Sequence, residues 1–124
     1  MKAAVLVAPS KCEVRDLPLP EINDNEVLIK VKACGVCASE LESWLKGSGG
    51  RNGVMGHEPV GTIEKMGRNV TGFSAGDRIT GLIHGGFSEY TKADYRDCVK
   101  VPEKLDDFEA LGEPLSCIVS GAER

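Results

Sequence analysis

Thiol, imidazole and carboxylate side chains occur in three separate segments of this 124-residue chain, at Cys37, at His57 and Glu58, and at Glu113. One thiolate, one imidazole and one carboxylate can form a catalytic zinc site, which uses three protein ligands and leaves a position open for water or substrate. The wide spacing differs from that of a zinc finger, whose ligands come in close pairs. These residue types in this pattern therefore make zinc a candidate cofactor.

Each feature also has an interpretation without a metal. Cys37 forms a C-x-x-C pair with Cys34, and the two can be packed thiols, because free cysteine is among the most buried residue types. His57 and Glu58 can belong to a solvated loop. A carboxylate at Glu113 would be well placed at the N-terminus of a helix. The residues alone leave the zinc site and the metal-free interpretation both open.

Short strands are the elements predicted to position these residues. Apolar and polar residues alternate over residues 26–34, which indicates a strand with one buried face. Further strands are predicted over residues 2–7, 59–66, 78–82, 87–92 and 98–101, each bounded by Gly, Asp or Pro. Such strands are typical of an all-β barrel or sandwich.

Two short helices are predicted beside the strands. Ser39 and Glu42 have the spacing of a capping box, and Gly47 is expected to end the helix that follows. Pro114 is expected in the first turn of a second helix. Four apolar residues near it recur at helical spacing, namely Phe108, Leu111, Leu115 and Ile118.

Composition and charge restrict the partners. The chain is 41% hydrophobic and 27% charged, which is ordinary for one globular domain of this length. With 15 Lys and Arg against 19 Asp and Glu and no basic stripe, neither nucleic acid nor a membrane is expected as a partner. No apolar stretch approaches the ~20 residues of a membrane span. Five cysteines without an export signal favour a reducing compartment, the cytoplasm.

Three segments together resemble the catalytic domain of the zinc-dependent medium-chain dehydrogenases, the alcohol and polyol dehydrogenase superfamily. They are KACGVCASELESW, GVMGHEPVGTIEKMGRNVTGFSAGDRITG and EPLSCIVSGAE, in this order along nearly the whole chain. The block from Gly56 to Ile79 is the most specific part, and EPLS most resembles the sorbitol and threonine dehydrogenase branches. The resemblance implies a mainly β fold over residues 1–124, a GroES-like, partly open β-barrel with short peripheral helices.

The resemblance also implies one catalytic zinc. Cys37, His57 and Glu113 match the ligand positions. Glu58 matches a carboxylate that ligates the metal or lies beside it. Ser39 matches the Ser or Thr that hydrogen-bonds the substrate alcohol and relays its proton, so Ser39 and Glu58 are the candidate catalytic residues.

Several positions depart from the family pattern. Glu40 stands where an Asp orients the ligand His, and it is one methylene longer. No Cys lies between Asp77 and Cys98, so no structural zinc is expected. Residues 42–44 include no His at the place where some members have a relay His. His84 has no assigned role and is expected in a loop or at a pocket rim.

The implied activity of the intact enzyme is NAD(P)-dependent oxidation of a secondary alcohol to a ketone, with a small alcohol or polyol as substrate. The Rossmann domain that binds NAD(P) is expected to be absent from this chain, which alone would be inactive. The face around Leu115 and Ile118 would then be uncovered and would be a candidate surface for self-association. Two alternatives stay open: a stand-alone GroES-like binding or assembly module without catalysis, and a zinc-free relative of quinone reductases.

Overall fold

The chain forms seven strands and two helices over residues 1–122, the part described by the computed structural model, apart from the side chain of residue 51. The strands are β1 (Lys2–Ala8), β2 (Lys11–Asp16), β3 (Glu26–Gly35), β4 (Glu58–Met66), β5 (Arg78–Thr80), β6 (Tyr90–Asp94) and β7 (Val99–Lys100). The helices are α1 (Glu40–Lys46) and α2 (Gly112–Ala122), with 3-10 turns at Arg51–Gly53 and Tyr95–Asp97. Residues 123 and 124, where the third family-like segment ends, lie outside the described residues.

Five strands form one antiparallel sheet in the order β6–β3–β4–β5–β7, and β1 and β2 form a separate hairpin. The long strand β3 pairs with β4 on one side and with β6 on the other. The hairpin joins this body through bridges from Ala3 to Ser88 and from Val5 to Val54. The arrangement confirms the predicted mainly β fold with short peripheral helices.

The main core consists of branched aliphatic residues on the central strands and the loop after β5. Such side chains pack well on a pleated surface, and each one that is fully buried contributes about 1.5–3 kcal/mol. This packing fixes the register of β3 against β4, which pairs Gly35 with Glu58. The core residues, all at most 2% exposed, are Val27, Ile29, Ile63, Ile79 and Ile83.

The predicted strands are present, with shifted ends, and one strand was missed. β2 was not predicted because its side chains are mostly exposed and polar, so it has no apolar period. The strand predicted over residues 78–82 ends at Thr80. At Gly81, a Cβ would lie 2.2 Å from the carbonyl oxygen of Asp97, so this close backbone approach interrupts the strand. The strand predicted to start at residue 87 starts at Tyr90.

The predicted capping box at α1 is wrong. Ser39 is the N-cap residue, but its φ of −63° and ψ of −22° are already helical and its side chain makes no capping hydrogen bond. The N–H of Leu41 donates to the carbonyl of Ala38 instead, at 3.1 Å. Glu42 forms an exposed ion pair with Lys46 rather than reaching back to the cap.

Gly47 and Pro114 take the positions in the two helices that were predicted for them. Gly47 ends α1 in the left-handed region, with φ of 73°. Pro114 lies in the first turn of α2, but Phe108 and Leu111 precede that helix. Within α2 only Glu113 is buried, while the side chains of Leu115 and Ile118 are exposed. Neither helix of the described part has the length and apolar content to cross a membrane.

Candidate metal centre

Cys37, His57 and Glu58 lie together at one end of the main sheet. One ligand atom from each, the thiol sulfur, an imidazole nitrogen and a carboxylate oxygen, all lie within 4.8 Å of one another. No other group of three such residues occurs in the described part of the chain. The structure thus brings together three of the four predicted ligands.

Cys37 follows β3 in a tight turn that the side chain of Glu40 closes. The N–H of Cys37 donates to Oε2 of Glu40 at 3.2 Å, and its carbonyl accepts from the N–H of Glu40 at 3.1 Å. These two bonds hold the backbone at Cys37 against the start of α1. The thiol is therefore placed by local hydrogen bonding rather than by a strand.

The other oxygen of Glu40 holds the histidine segment. Oε1 accepts from the N–H of Gly56 at 2.6 Å and lies 3.3 Å from Nδ1 of His57. The longer side chain thus reaches the imidazole despite its extra methylene. The hydrogen bonds of Glu40 to the backbone of Cys37 and Gly56 were not foreseen from the sequence, because they depend on how two distant segments meet.

Glu58 is buried at the start of β4. Its Oε1 lies 3.9 Å from Nε2 of His57. Directly opposite is Gly35, where a Cβ would lie 2.0 Å from Oε2 of Glu58, so this glycine leaves the space that the carboxylate fills. Because a buried carboxylate is stable only when it is paired or bound to a metal, its position beside a thiol and an imidazole fits a metal ligand.

Glu113, the fourth predicted ligand, lies in the first turn of α2 and is 7% exposed. It is not part of the three-residue group. Its Oε1 accepts a hydrogen bond from the thiol of Cys117 at 2.9 Å. That bond is the main cause that raises the pKa of Cys117, and the nearby Cys37 and Glu58 raise it further. The first turns of α2 are therefore within electrostatic range of the cluster.

Cys34 is a packed thiol, as in one of the two interpretations of the C-x-x-C pair. A Cβ on Gly86 would lie 2.5 Å from its sulfur, and one on Gly56 would lie 3.0 Å away. Burial raises the pKa of Cys34 to about 11, with a further contribution from Glu40 and Glu58. Cys34 is consequently a neutral neighbour of the cluster.

Ser39 and His57 line one cleft of about 440 Å³, together with Ser43 and His84. Ser39 is exposed there, and His84 lies in a loop at the edge of the cleft, as expected. A larger cavity of about 500 Å³, bordered by Leu17, Tyr90 and other residues, is lined by none of the three cluster residues. Of these two cavities, only the smaller cleft borders the cluster, and it does so through His57.

Comparison with known proteins agrees with this architecture. Residues 23–103 match the alcohol dehydrogenase GroES-like domain family. The chain is 40% identical over 97 residues to an alcohol dehydrogenase of Cupriavidus necator, which covers 76% of this chain and 26% of that protein. It is 40% identical over 84 residues to a sorbitol dehydrogenase of Bacillus subtilis, covering 64% of this chain and 24% of that protein. It is also 38% identical over 98 residues to a quinone oxidoreductase of Homo sapiens, covering 73% of this chain and 29% of that protein.

A solved structure with the same fold is that of a candidate zinc-binding dehydrogenase of Sinorhizobium meliloti bound to NADP. It matches with a TM-score of 0.86 and 26% identity, over 98% of this chain and 44% of that chain. The chain spans about a quarter of the length of the curated relatives named above. These matches confirm the predicted GroES-like fold, and the chain belongs to the GroES-like domain family of the alcohol dehydrogenases.

Proposed function

We propose that this chain is the zinc-binding catalytic domain of an NAD(P)-dependent alcohol or polyol dehydrogenase, which oxidises a secondary alcohol to a ketone. The observation that carries the proposal is the cluster of Cys37, His57 and Glu58 in a domain of the alcohol dehydrogenase family. Relatives named alcohol and sorbitol dehydrogenase, and a similar structure bound to NADP, support it. Because the chain covers about a quarter of those relatives, the activity is proposed for a longer protein.

The donor set suits zinc, which is commonly bound by thiolate, imidazole and carboxylate groups. Cys37, His57 and Glu58 would hold the ion, with Glu113 as the neighbouring carboxylate. When bound, zinc supplies a Lewis acid that polarises the alcohol oxygen and lowers its pKa.

The residues of the chain orient the reacting groups. Because Nδ1 of His57 faces Glu40, the imidazole is held with Nε2 toward Glu58 and the cluster. The exposed hydroxyl of Ser39 lies in the cleft beside His57, where it can accept the substrate proton and pass it to solvent. A bound NAD(P) would supply the acceptor for the hydride of the alcohol carbon.

A second candidate function is that of a zinc-free quinone reductase, which the similarity to the human quinone oxidoreductase favours. Such an enzyme would not need Cys37, His57 and Glu58 to converge. A binding module without catalysis would not need them either. Whether the chain binds zinc therefore distinguishes the proposed dehydrogenase from both alternatives.

The test is the zinc content of the chain, purified without added zinc and again after reconstitution. We expect about one zinc per chain, lost in the Cys37→Ala, His57→Ala double variant. The control is the Cys12→Ala, His84→Ala double variant, which removes an exposed thiol and an exposed imidazole outside the cluster. Zinc content near zero in the reconstituted wild type would contradict the proposal, as would full content in the cluster variant.

A further inference from the structure

Thr80 joins the two segments that carry the buried carboxylates of the site. Its hydroxyl donates to the carbonyl of Pro59 at 3.0 Å and accepts from the N–H of Gly112 at 3.0 Å. Pro59 directly follows Glu58, and Gly112 directly precedes Glu113. One side chain, itself 7% exposed, therefore bridges β4 and the start of α2.

Few other contacts fix the position of helix α2 on the sheet. Of its described residues only Glu113 is buried, and three apolar residues farther along it are exposed: Leu115, Ile118 and Val119. Helices in proteins are stabilised mainly by packing of an apolar face, which α2 lacks here. Its position is consequently set at its first residues, by the bond from Gly112 to Thr80 and by packing of Ala110 and Leu111 just before it.

The contact between Thr80 and Gly112 is tight. A Cβ on residue 112 would lie 2.7 Å from Cγ2 of Thr80, so the close approach requires glycine there. A β-branched side chain has a restricted χ1 angle, which keeps the Thr80 hydroxyl between its two partners. Loss of the hydroxyl would leave the carbonyl of the fully buried Pro59 without this donor, which is unfavourable for a buried polar group.

Strand β5 also holds the middle of the segment that leads to α2. Nε of Arg78 donates to Oδ1 of Asp107 at 3.1 Å, and Nη1 donates to the carbonyl of Leu105 at 2.8 Å. These bonds lie several residues before Glu113. Thr80 is the β5 residue whose side chain contacts both segments next to the carboxylates.

We propose that Thr80 is a positioning residue of the metal centre, whose hydroxyl sets the placement of the Glu113 segment relative to Glu58 and thereby the metal affinity. This inference rests on the proposed function, because it requires that the cluster bind a metal. It goes beyond the ligand set, since Thr80 contacts no metal ligand atom through its own hydrogen bonds.

The test compares Thr80→Val, which keeps the shape and removes the hydroxyl, with Thr80→Ser, which keeps the hydroxyl. The control is Thr91→Val, because Thr91 is similarly buried and its hydroxyl donates to the carbonyl of His84 rather than to a residue next to either carboxylate. Zinc affinity is measured on the full chain by competition with a chelator, and the visible spectrum is recorded with Co²⁺ in place of zinc. Amide hydrogen exchange at Gly112 is measured without metal.

We expect Thr80→Val to weaken zinc binding about tenfold or more, as loss of supporting partners does at other metal sites, and to alter the Co²⁺ spectrum. Exchange at Gly112 should become faster. Thr80→Ser should restore affinity and spectrum, and Thr91→Val should lower the melting temperature without changing either.

Zinc affinity and a Co²⁺ spectrum unchanged in Thr80→Val, while the wild type binds the metal, would overturn the positioning role and leave the zinc site standing. A wild type that binds neither metal would overturn the proposed function and this inference together. If Thr80→Val does not fold, Gly112→Ala is used instead, because its added Cβ would clash with Cγ2 of Thr80 and disturb the same contact. Unchanged zinc affinity in Gly112→Ala would overturn the inference.

Discussion

The carboxylate of Glu40 lies 3.3 Å from Nδ1 of His57, and Nε2 of the same imidazole lies 3.9 Å from Glu58. The ring is thus held between two acidic side chains, one on α1 and one on β4. A carboxylate at one ring nitrogen favours the proton on that nitrogen and leaves the other nitrogen as the metal-binding atom. Glu40 therefore determines which nitrogen of His57 faces the cluster.

Replacement of Glu40 by Ala is expected to weaken zinc binding about 10- to 100-fold, because the orientation of His57 and the turn at Cys37 both lose their support. Zinc affinity is measured by chelator competition. The control is Glu42→Ala on the same helix, which removes only an exposed ion pair with Lys46 and is expected to change stability by less than about 0.5 kcal/mol. Equal zinc affinity of Glu40→Ala and wild type would contradict this role.

The ligand types, and the place of Glu40 beside the ligand His, could be recognised from the sequence and the resemblance, but the other supports could not. Cys37, His57 and Glu58 are residue types that bind zinc, and they stand in segments typical of the family. The spacing of Ser39 and Glu42 suggested a capping box, yet Glu42 pairs with Lys46 and the structural role belongs to Glu40. Thr80 carries no local signal, because its importance arises only where β5 meets both β4 and the start of α2.

Replacement of Gly35 by Ala is expected to displace the carboxylate of Glu58, since the new Cβ would lie 2.0 Å from its Oε2. Overpacking of this kind destabilises a folded protein by about 1–3 kcal/mol, and zinc affinity should fall as well. The control is Gly121→Ala, where a Cβ would meet nothing within 4 Å and helix propensity makes the change neutral or slightly favourable. Urea unfolding and zinc titration are the measurements, and similar behaviour of the two variants would refute the expectation.

The alkaline limit of stability is expected to depend on Cys98. Burial, with Asp97 and Asp94 nearby, raises the pKa of this thiol from 9.0 to about 12. The folded state thus holds the proton more tightly than the unfolded chain, so this contribution is fully present below pH 9 and is lost as the pH rises toward 12. The free energy of unfolding in urea should fall between pH 9 and 11, and less steeply in Cys98→Ala.

The control for this pH dependence is Cys12→Ala, which removes an exposed thiol and should keep the slope of the wild type. A slope in Cys98→Ala as steep as that of the wild type would show that other groups cause the alkaline loss of stability.

Burial patterns explain which parts of the fold the sequence predicted. In β3 the alternation holds from Ile29 onward, where Lys30 and Lys32 are exposed between less exposed neighbours, whereas Val27 and Leu28 before it are both buried. In β2 the residues are mostly exposed on both faces, and its pairing with β1 comes from backbone hydrogen bonds that leave no pattern in the side chains. Helix α2 has an apolar sequence but an exposed apolar face, so helical spacing there does not indicate contact with this domain's core.

The exposed face of α2 is expected to cause self-association of the isolated chain. Leu115 is 64% exposed and Ile118 is 71% exposed, and clustered apolar side chains of this kind favour association in water. Sedimentation velocity should show concentration-dependent oligomers for the wild type and a monomer for the Leu115→Lys, Ile118→Lys variant. As a control, Val14→Lys changes an exposed residue on β2 and should leave the association intact. A wild type that stays monomeric at high concentration would argue against this expectation.

X-ray absorption at the zinc edge of the zinc-loaded chain tests the central claim most directly, because it reports the atoms bound to the ion. Coordination by Cys37, His57 and carboxylate predicts one sulfur at about 2.3 Å and nitrogen or oxygen neighbours at about 2.0–2.2 Å. The sulfur should disappear in Cys37→Ser and persist in Cys34→Ser. A shell with no sulfur, or with two or more sulfurs, would contradict the proposed centre.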